Sequence, residues 1–235
     1  MLVHAPAPAC PEPGLLARGA RVPVRRIRRY VLLAVAGFVA FLVLGNLTIM
    51  AASLSLRSDA PAPAEVRVNN FRVVDEHVWR GAAPSATTFR DLAAAGATTV
   101  VDLRAEDDLT VDSALLTKLG LTRFHLPIRD GQIPSQAQVD RFIEIVRNSK
   151  GPVFVHCGAG VGRTGAMVAA YLVRSGEADG VEALRRNLSV GPPSLEQLTF
   201  AATLQGSHAG RVPAPVVVVS RVLDAPRRLW SRYGF

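Results

Sequence analysis

Short apolar runs and helix-like periodicity alternate along the chain from about residue 70 to about residue 205. Apolar or β-branched runs at 98–103 and 152–155 predict buried strands, and further strands are predicted at 78–80 and 122–126. Apolar positions at helical spacing predict helices at about 85–95, 111–119, 135–148, 163–175, 179–188 and 194–205. Strands that alternate with helices indicate an α/β fold in which helices cover both faces of a mainly parallel sheet.

The N-terminal part contains one apolar segment of a different kind. From Val31 to Gly45 the sequence VLLAVAGFVAFLVLG has no polar side chain, and only mild polarity follows as far as Ala52. At about 1.5 Å per residue, roughly twenty residues span the ~30 Å hydrocarbon core of a bilayer. Residues 30–52 are therefore predicted to form one transmembrane anchor. A cleaved secretory signal, cut near Ala51 or Ala52, is the open alternative.

The charges that flank this segment predict its orientation. Arg57 alone follows it closely and Asp59 offsets that charge, whereas five arginines precede it: Arg21, Arg25, Arg26, Arg28 and Arg29. Positively charged flanks remain on the cytoplasmic side of a membrane. A single-pass protein is therefore expected, with its N-terminus in the cytoplasm and its globular domain outside. In the alternative, the cleaved chain is secreted.

Composition and charge predict the remaining boundaries. Residues 1–29 are expected to be a basic disordered tail, 53–66 a proline-stiffened linker, 67–206 the globular domain and 207–235 a basic C-terminal tail. The apolar run in this last tail suits an extra strand followed by a surface helix, or a second membrane-touching element. The net charge of +8 lies on the tails, because residues 31–206 hold sixteen basic and seventeen acidic side chains. This distribution favours a membrane as partner and argues against nucleic acid.

The segment HCGAGVGRTG, residues 156–165, carries the candidate chemistry. A predicted strand runs into this glycine-rich loop and a predicted helix follows it. Such a loop can turn successive N–H groups inward as an anion-binding nest at a helix N-terminus. The phosphate-binding positions are predicted to be Gly158, Ala159, Gly160, Val161, Gly162 and Arg163, and the three glycines are expected to allow the φ values and the close approach that this loop requires.

Four side chains of this segment receive distinct predicted roles. Cys157, in the positive field of the loop, is predicted to be a thiolate nucleophile. The planar fork of Arg163 is predicted to bind two phosphate oxygens. Thr164 is predicted to donate its hydroxyl to the sulfur of Cys157, and His156 to orient the cysteine loop from behind. The alternative is an inert buried cysteine beside a strand–helix turn, and a disulfide with the distant Cys10 is not expected.

Residues 156–165 resemble the His-Cys-x5-Arg-Ser/Thr-Gly signature of the protein tyrosine and dual-specificity phosphatases. The similarity extends from about Asn70 (NFRVVDEHVWRGAAP), through TTVVDLR, to about Leu204, and is greatest to the compact atypical dual-specificity branch. The resemblance implies a central sheet of four to five strands flanked by helices, with no metal and no cofactor. Two departures concern specificity. Ala159 and Val161 stand where members that act on inositol phosphates tend to carry lysines, and residues 193–197 match the glutamine-containing loop of tyrosine-specific relatives only in part.

The resemblance also implies a general acid on a mobile loop upstream of the cysteine. Asp130, followed by Gly131 after a predicted strand, fits this position. It would protonate the leaving oxygen and then act as base for the hydrolytic water. The alternatives are a turn-forming Asp-Gly pair, or an acid drawn from Glu106, Asp107 and Asp108. Asp102 and Arg104 are expected to form a structural ion pair at the end of a strand.

These features predict a membrane-anchored phosphatase that hydrolyses phosphomonoesters through a cysteinyl-phosphate intermediate. Phosphotyrosine proteins, together with phosphoserine or phosphothreonine proteins, are the expected substrates. The alternatives are a phospholipid or phosphoinositide phosphatase and a catalytically silent phosphate-binding module. A rhodanese-like sulfur transferase also uses a loop cysteine, but the His-Cys…Arg-Thr-Gly frame argues against it. No metal site is expected, because the histidines lack metal-ligand spacing.

Overall fold

The computed structural model describes residues 24–57, 66–105, 113–206 and 210–225. The chain separates into one unit that ends at Val43 and a second unit that begins at Leu44. Helix α1 spans Val24–Leu56. The strands that follow are β1 (Arg72–Val73), β2 (Val78–Gly81), β3 (Thr99–Arg104), β4 (Thr122–Ile128) and β5 (Val153–His156). The other helices are α2 (Ala86–Ala94), α3 (Ser113–Lys118), α4 (Gln136–Asn148), α5 (Gly162–Ser175), α6 (Gly180–Leu188), α7 (Leu195–Ala202) and α8 (Ala214–Leu223).

Helix α1 is longer at both ends than the predicted span of residues 30–52. It begins within the segment that was expected to be disordered and ends within the predicted linker. Arginine is a good helix former, so the four arginines at positions 25, 26, 28 and 29 favour an early start. In the described part of the chain, α1 is the one helix long and apolar enough to cross a membrane, judged by length and composition.

The predicted mainly parallel sheet is confirmed. Its strand order is β1-β2-β5-β3-β4, and the four strands β2, β5, β3 and β4 run parallel to one another. The edge strand β1 pairs antiparallel with β2, with Arg72 opposite Arg80 and Val73 opposite Trp79. This two-residue strand was not predicted, because two residues are too few to show an alternating pattern.

Successive residues of the central strands point to opposite faces of the sheet, as the pleat requires. Val101 and Val155 join one apolar cluster, while Val100 and Phe154 join the other. Helices α4, α5 and α7 cover the first face with Phe142, Met167 and Phe200. Helices α2 and α3 cover the second face with Phe89, Leu92 and Leu116. The sheet is therefore buried on both faces, and the predicted α/β architecture is confirmed.

The C-terminal apolar run forms a helix, and the predicted extra strand is wrong. Helix α8 begins after Pro213 and packs against α7. The side chain of Ser220 is buried and accepts a hydrogen bond from the backbone N–H of Glu196 in α7 (3.0 Å). The valines of this run favour strands intrinsically, but packing and hydrogen bonding to α7 outweigh that preference.

Candidate active site

The loop between β5 and α5 lies at the carboxyl end of the central strand. Strand β5 has β2 on one side and β3 on the other, so the loop sits in the middle of the sheet edge. Ligands of parallel α/β sheets bind at this edge. Cys157 follows the strand directly and is 3% exposed. The sequence order of strand, loop and helix therefore places the thiol where an open sheet offers a binding crevice.

The backbone carbonyl groups of this loop are held from outside by the surrounding domain. Gly158 O accepts from the backbone N–H of Ala83 (2.9 Å), and Ala159 O accepts from the side-chain amide of Asn70 (2.8 Å). Gly160 O and Val161 O both accept from Arg80 Nη2, at 2.8 and 3.3 Å. In a planar trans peptide the N–H group points opposite to the carbonyl. The amides of residues 159–162 are therefore directed away from these partners, towards the inside of the loop.

Arg80 is the side chain that sequence reasoning missed. It is 3% exposed and also donates to the Asn187 carboxamide oxygen (3.1 Å). Burial lowers the pKa of Arg80 to about 10, with a smaller opposing contribution from Cys157, so the guanidinium stays charged at neutral pH. An arginine inside the otherwise apolar strand VWRG was a usable signal, because arginine is almost never fully buried without partners.

Of the three loop glycines, only Gly160 adopts a left-handed conformation (φ 73°). A Cβ there would also overlap the backbone of Gly81 and Ala82. The φ values of Gly158 and Gly162 lie outside the left-handed region. Gly162 is instead required by space, since a Cβ there would lie 2.5 Å from Gln197 Oε1.

Arg163 and Asp130 lie side by side although 33 residues separate them in the sequence. Arg163 is in the first turn of α5, and its Nη1 donates to Ile128 O (3.2 Å) at the end of β4. Its Nη2 is 3.4 Å from Asp130 Oδ1. The structure therefore brings the predicted phosphate-binding arginine and the predicted acid to one place.

The Asp130 loop is fastened by residues of the partly matched 193–197 segment. Ser194 Oγ donates to Gly131 O (2.8 Å), and Gln197 Nε2 donates to Gln132 O (2.9 Å). Gln197 Oε1 accepts from the Ser194 backbone N–H (3.0 Å), which completes a capping box at the start of α7. Gln197 thus connects the Asp130 loop to the wall of the cysteine loop at Gly162.

Thr164 and His156 are both buried. Thr164 Oγ1 has no hydrogen-bond partner among the described residues, so the expected bond to the sulfur of Cys157 is not formed. His156 Nδ1 lies 3.2 Å from Cys157 O, which is consistent with orientation from behind the loop. Burial lowers the pKa of His156 to about 4 and keeps the ring neutral, although the nearby Asp102 carboxylate raises that pKa in part.

The predicted ion pair at the strand end is confirmed. Asp102 is fully buried and accepts from Arg104 (2.9 Å) and from Arg123 (3.0 Å). Burial alone would raise the pKa of Asp102, but the hydrogen bonds from Arg104 and the nearby His156 hold it well below its usual range. Asp102 Oδ1 is 3.9 Å from His156 Nδ1, so this anion lies behind the histidine.

Two further predictions concern residues outside this geometry. The alternative acids Glu106, Asp107 and Asp108 lie outside the described residues. Within the described ranges, no group of three or more His, Cys, Asp or Glu side chains is arranged to hold a metal ion.

A family model described as "DSP-PTPase phosphatase fused to NAD+ Kinase" matches residues 63–203. The chain belongs to this dual-specificity-type phosphatase family. The phosphatase is 34% identical over 151 residues to bovine protein tyrosine phosphatase type IVA 3, covering 61% of this chain and 84% of that protein. It spans only 15% to 20% of several longer curated relatives.

Solved structures share the fold of this phosphatase. PTPMT1 in complex with PI(5)P superimposes with a TM-score of 0.51 at 20% identity, covering 68% of this chain and 99% of that one. The catalytic domain of the PP-IP phosphatase SIW14 from S. cerevisiae gives a TM-score of 0.52 at 16% identity, covering 70% and 97%. At these identities the likeness concerns the fold alone.

Proposed function

We propose that this phosphatase hydrolyses phosphomonoesters through a cysteinyl-phosphate intermediate on Cys157. One observation carries the proposal: four successive carbonyls of the cysteine loop are held from outside, which directs the amides of residues 159–162 towards the inside of the loop. Inward-facing amides at a helix N-terminus bind a phosphate dianion and favour a thiolate beside it.

In the first step, Cys157 Sγ attacks phosphorus as the P–O bond to the leaving group breaks. Arg163 binds two non-bridging oxygens, and protonated Asp130 gives its proton to the leaving oxygen. Arg163 Nη2 and Asp130 Oδ1 are 3.4 Å apart. A phosphate bound by Arg163 would therefore lie beside Asp130, which supports Arg163 as phosphate ligand and Asp130 as acid.

In the second step, water attacks phosphorus and the S–P bond breaks. The Asp130 carboxylate accepts the proton of that water, and inorganic phosphate leaves as Cys157 returns to the thiolate. Thr164 Oγ1 is buried and lacks a hydrogen-bond partner in the described structure. A rotation of this side chain would let its hydroxyl donate a hydrogen bond to the departing sulfur of Cys157. Fastening of residues 131 and 132 by Ser194 and Gln197 keeps the acid loop within reach of the reacting centre.

Phosphoproteins, with tyrosine as the main acceptor residue, are the proposed substrates. The bovine relative is by name a protein tyrosine phosphatase. Ala159 and Val161 place no charged side chain in the loop, which disfavours the highly charged inositol phosphates. A membrane phospholipid or phosphoinositide is the second candidate, favoured by the long apolar helix α1. A catalytically silent phosphate-binding module is the third, opposed by the complete Cys157, Arg163 and Asp130 set.

We further propose that α1 anchors the enzyme in a membrane, with the N-terminus in the cytoplasm and the catalytic domain outside. The support is its length, its mean hydropathy of 2.3 and the arginines at its start. Cleavage after the apolar segment, with secretion, is the alternative. A reporter fused after Phe235 that is active only in the cytoplasm would overturn the orientation. Release of the chain from membranes by alkaline carbonate would overturn the anchor.

The decisive experiment uses the full chain in detergent, with p-nitrophenyl phosphate and excess chelator. We expect turnover in wild type and none in Cys157→Ser. Acid quenching during turnover of a radiolabelled substrate is expected to leave label on Cys157. Turnover that survives Cys157→Ser would contradict the mechanism. A folded wild type that binds phosphate without turnover would identify the silent module instead.

A further inference from the structure

A second arginine-lined cavity lies behind the cysteine loop, on the side of the sheet edge formed by β1 and β2. It has a volume of about 180 Å³ and is lined by Arg72, Arg80 and Arg186, together with Ser189 and the apolar side chains of Val168 and Leu172. A cavity needs only about 10–15 Å³ to admit one water, so this one has room for a tetrahedral oxyanion. Among the described residues, no acidic side chain lines it.

Arg80 supplies the observation that points to a ligand. Its Nη2 is used by the cysteine loop and Asn187, but among the described residues its buried Nε has no hydrogen-bond partner, and neither has the buried side-chain nitrogen of Asn187. A buried cationic N–H without an acceptor costs free energy. The Nε atom is not itself accessible from the cavity, but the Arg80 side chain lines the cavity, so an anion there offsets the cost of burying this charge.

The other two arginines add positive charge at the mouth of the same cavity. Arg72 is half-buried and lowers the pKa of Arg80 by repulsion, so the two charges lie close together. Arg186 is exposed, and its Nε is 3.0 Å from Glu182, a carboxylate that it shares with Arg185. The guanidinium groups of three arginines thus line one cavity, and Glu182 and Glu177 offset part of the charge of Arg186. The apolar wall beside them suits the ester part of a phosphate ester.

The C-terminal end of α1 lies next to this cavity. Ser53, 1% exposed, donates its hydroxyl to Leu188 O (2.8 Å), and the next residue of the chain after Leu188 is Ser189 in the cavity wall. Ser53 immediately follows the predicted span 30–52. Ser53 therefore ties the residue that follows the predicted span to the residue next to the cavity wall.

We propose that the cavity of Arg72, Arg80 and Arg186 is a second phosphate-binding site, separate from the loop at Cys157, that takes a phosphate ester with an apolar substituent. A membrane phospholipid supplies this chemistry, and so does a soluble phosphate ester. Because Arg80 also holds Gly160 O and Val161 O, the occupant of this site is linked to the cysteine loop through one side chain. The choice of a lipid rests on the proposed membrane anchor, whereas the site itself does not.

The test counts phosphate ions bound per full-length chain in maltoside detergent, by equilibrium dialysis of radiolabelled inorganic phosphate. We expect two per wild-type chain and one in Arg72→Gln/Arg186→Gln. The matched control Arg185→Gln removes the same charge from the same helix, outside the cavity, and is expected to keep two. Arg163→Ala is expected to lose the phosphate of the cysteine loop alone, so failure of that site is recognised separately. Equal unfolding temperatures show that the variants are folded.

A second arm identifies the source of the phosphate. Added phosphatidic acid is expected to displace the phosphate that depends on Arg72 and Arg186, while hexyl phosphate, a soluble ester with an apolar substituent, displaces it if the site takes soluble esters. A single phosphate per wild-type chain, lost in Arg163→Ala and kept in Arg72→Gln/Arg186→Gln, would overturn the second site and leave the catalytic proposal intact. A second phosphate that is insensitive to the double substitution would overturn it equally.

Discussion

Arg80 in strand β2 donates to the carbonyl oxygen of Gly160 over 2.8 Å, although the two residues are 80 positions apart in the sequence. The bond fixes the orientation of the peptide whose N–H belongs to Val161. A side chain that contacts no substrate thereby helps to set the direction of a phosphate-binding amide. This relationship makes β2 a functional part of the candidate site.

Replacing Arg80 is expected to impair catalysis through the loop. The shorter glutamine side chain of Arg80→Gln cannot reach both Gly160 O and Val161 O. The loop amides are then no longer fixed in their inward direction. Misplacement of this kind costs about 10²-fold in kcat/KM. The measurement is p-nitrophenyl phosphate turnover together with inhibition by vanadate, which reports the geometry of the nest directly. Arg90→Gln, at an exposed position of α2, is the matched control. Unchanged vanadate affinity in Arg80→Gln would contradict the positioning role.

A methyl group at Gly160 is expected to be far more damaging than one at Gly158. Gly160→Ala forces a non-glycine residue to a φ of 73° and a Cβ onto the backbone of Gly81, whereas a Cβ at Gly158 meets only Arg163 Nη2 at 3.7 Å. The left-handed conformation alone costs roughly 1–2 kcal/mol. Thermal unfolding of the two variants checks this: Gly160→Ala should unfold at a clearly lower temperature than Gly158→Ala. Equal unfolding temperatures would show that the backbone contact is not restrictive.

Neutral His156 makes stability depend on pH. Burial lowers its pKa from 6.5 to about 4, so below pH 6.5 the unfolded chain binds a proton that the folded chain does not. The stabilisation is complete above pH 6.5 and is lost as pH falls towards 4. Between pH 6.5 and 5 the loss is on the order of 1–2 kcal/mol. Unfolding temperatures measured across this range should fall in wild type and in His77→Gln, whose histidine is exposed. His156→Gln should show a flatter profile, and a flat wild-type profile would contradict the prediction.

Asp130→Asn is expected to slow turnover by about 10²–10⁴-fold, because it removes general acid–base catalysis. The loss should be largest for phenyl phosphate, whose leaving group needs a proton, and smaller for p-nitrophenyl phosphate. The ratio of kcat values for these two substrates is the measurement. A similar loss for both substrates would indicate that Asp130 acts through its contact with Arg163 instead. Asp140→Asn, on the exposed part of α4, serves as the control.

Local sequence patterns predicted most elements and the loop. The helices predicted from about residues 85 and 135 begin there, where Ser85 and Ser135 are the N-caps and accept hydrogen bonds from the backbone N–H groups of Thr88 and Gln138. The apolar run at 152–155 corresponds to β5. The prediction failed where short-range patterns carry little information, at the two-residue strand β1 and the valine run of α8. In both cases long-range pairing decided the conformation.

The sequence by itself determined the parts of the site that are contiguous in the chain. Residues 156–165 contain the thiol, the glycines and the arginine, and their spacing already predicts a strand, a loop and a helix N-terminus. Only the tertiary structure decided what holds that loop in place. Asn70 and Arg80 approach from the β1–β2 side, while Gln197 and Ser194 fasten the Asp130 loop from α7. The physical reason is that these hydrogen bonds join residues more than 60 positions apart, and such pairs leave no periodicity in a single sequence.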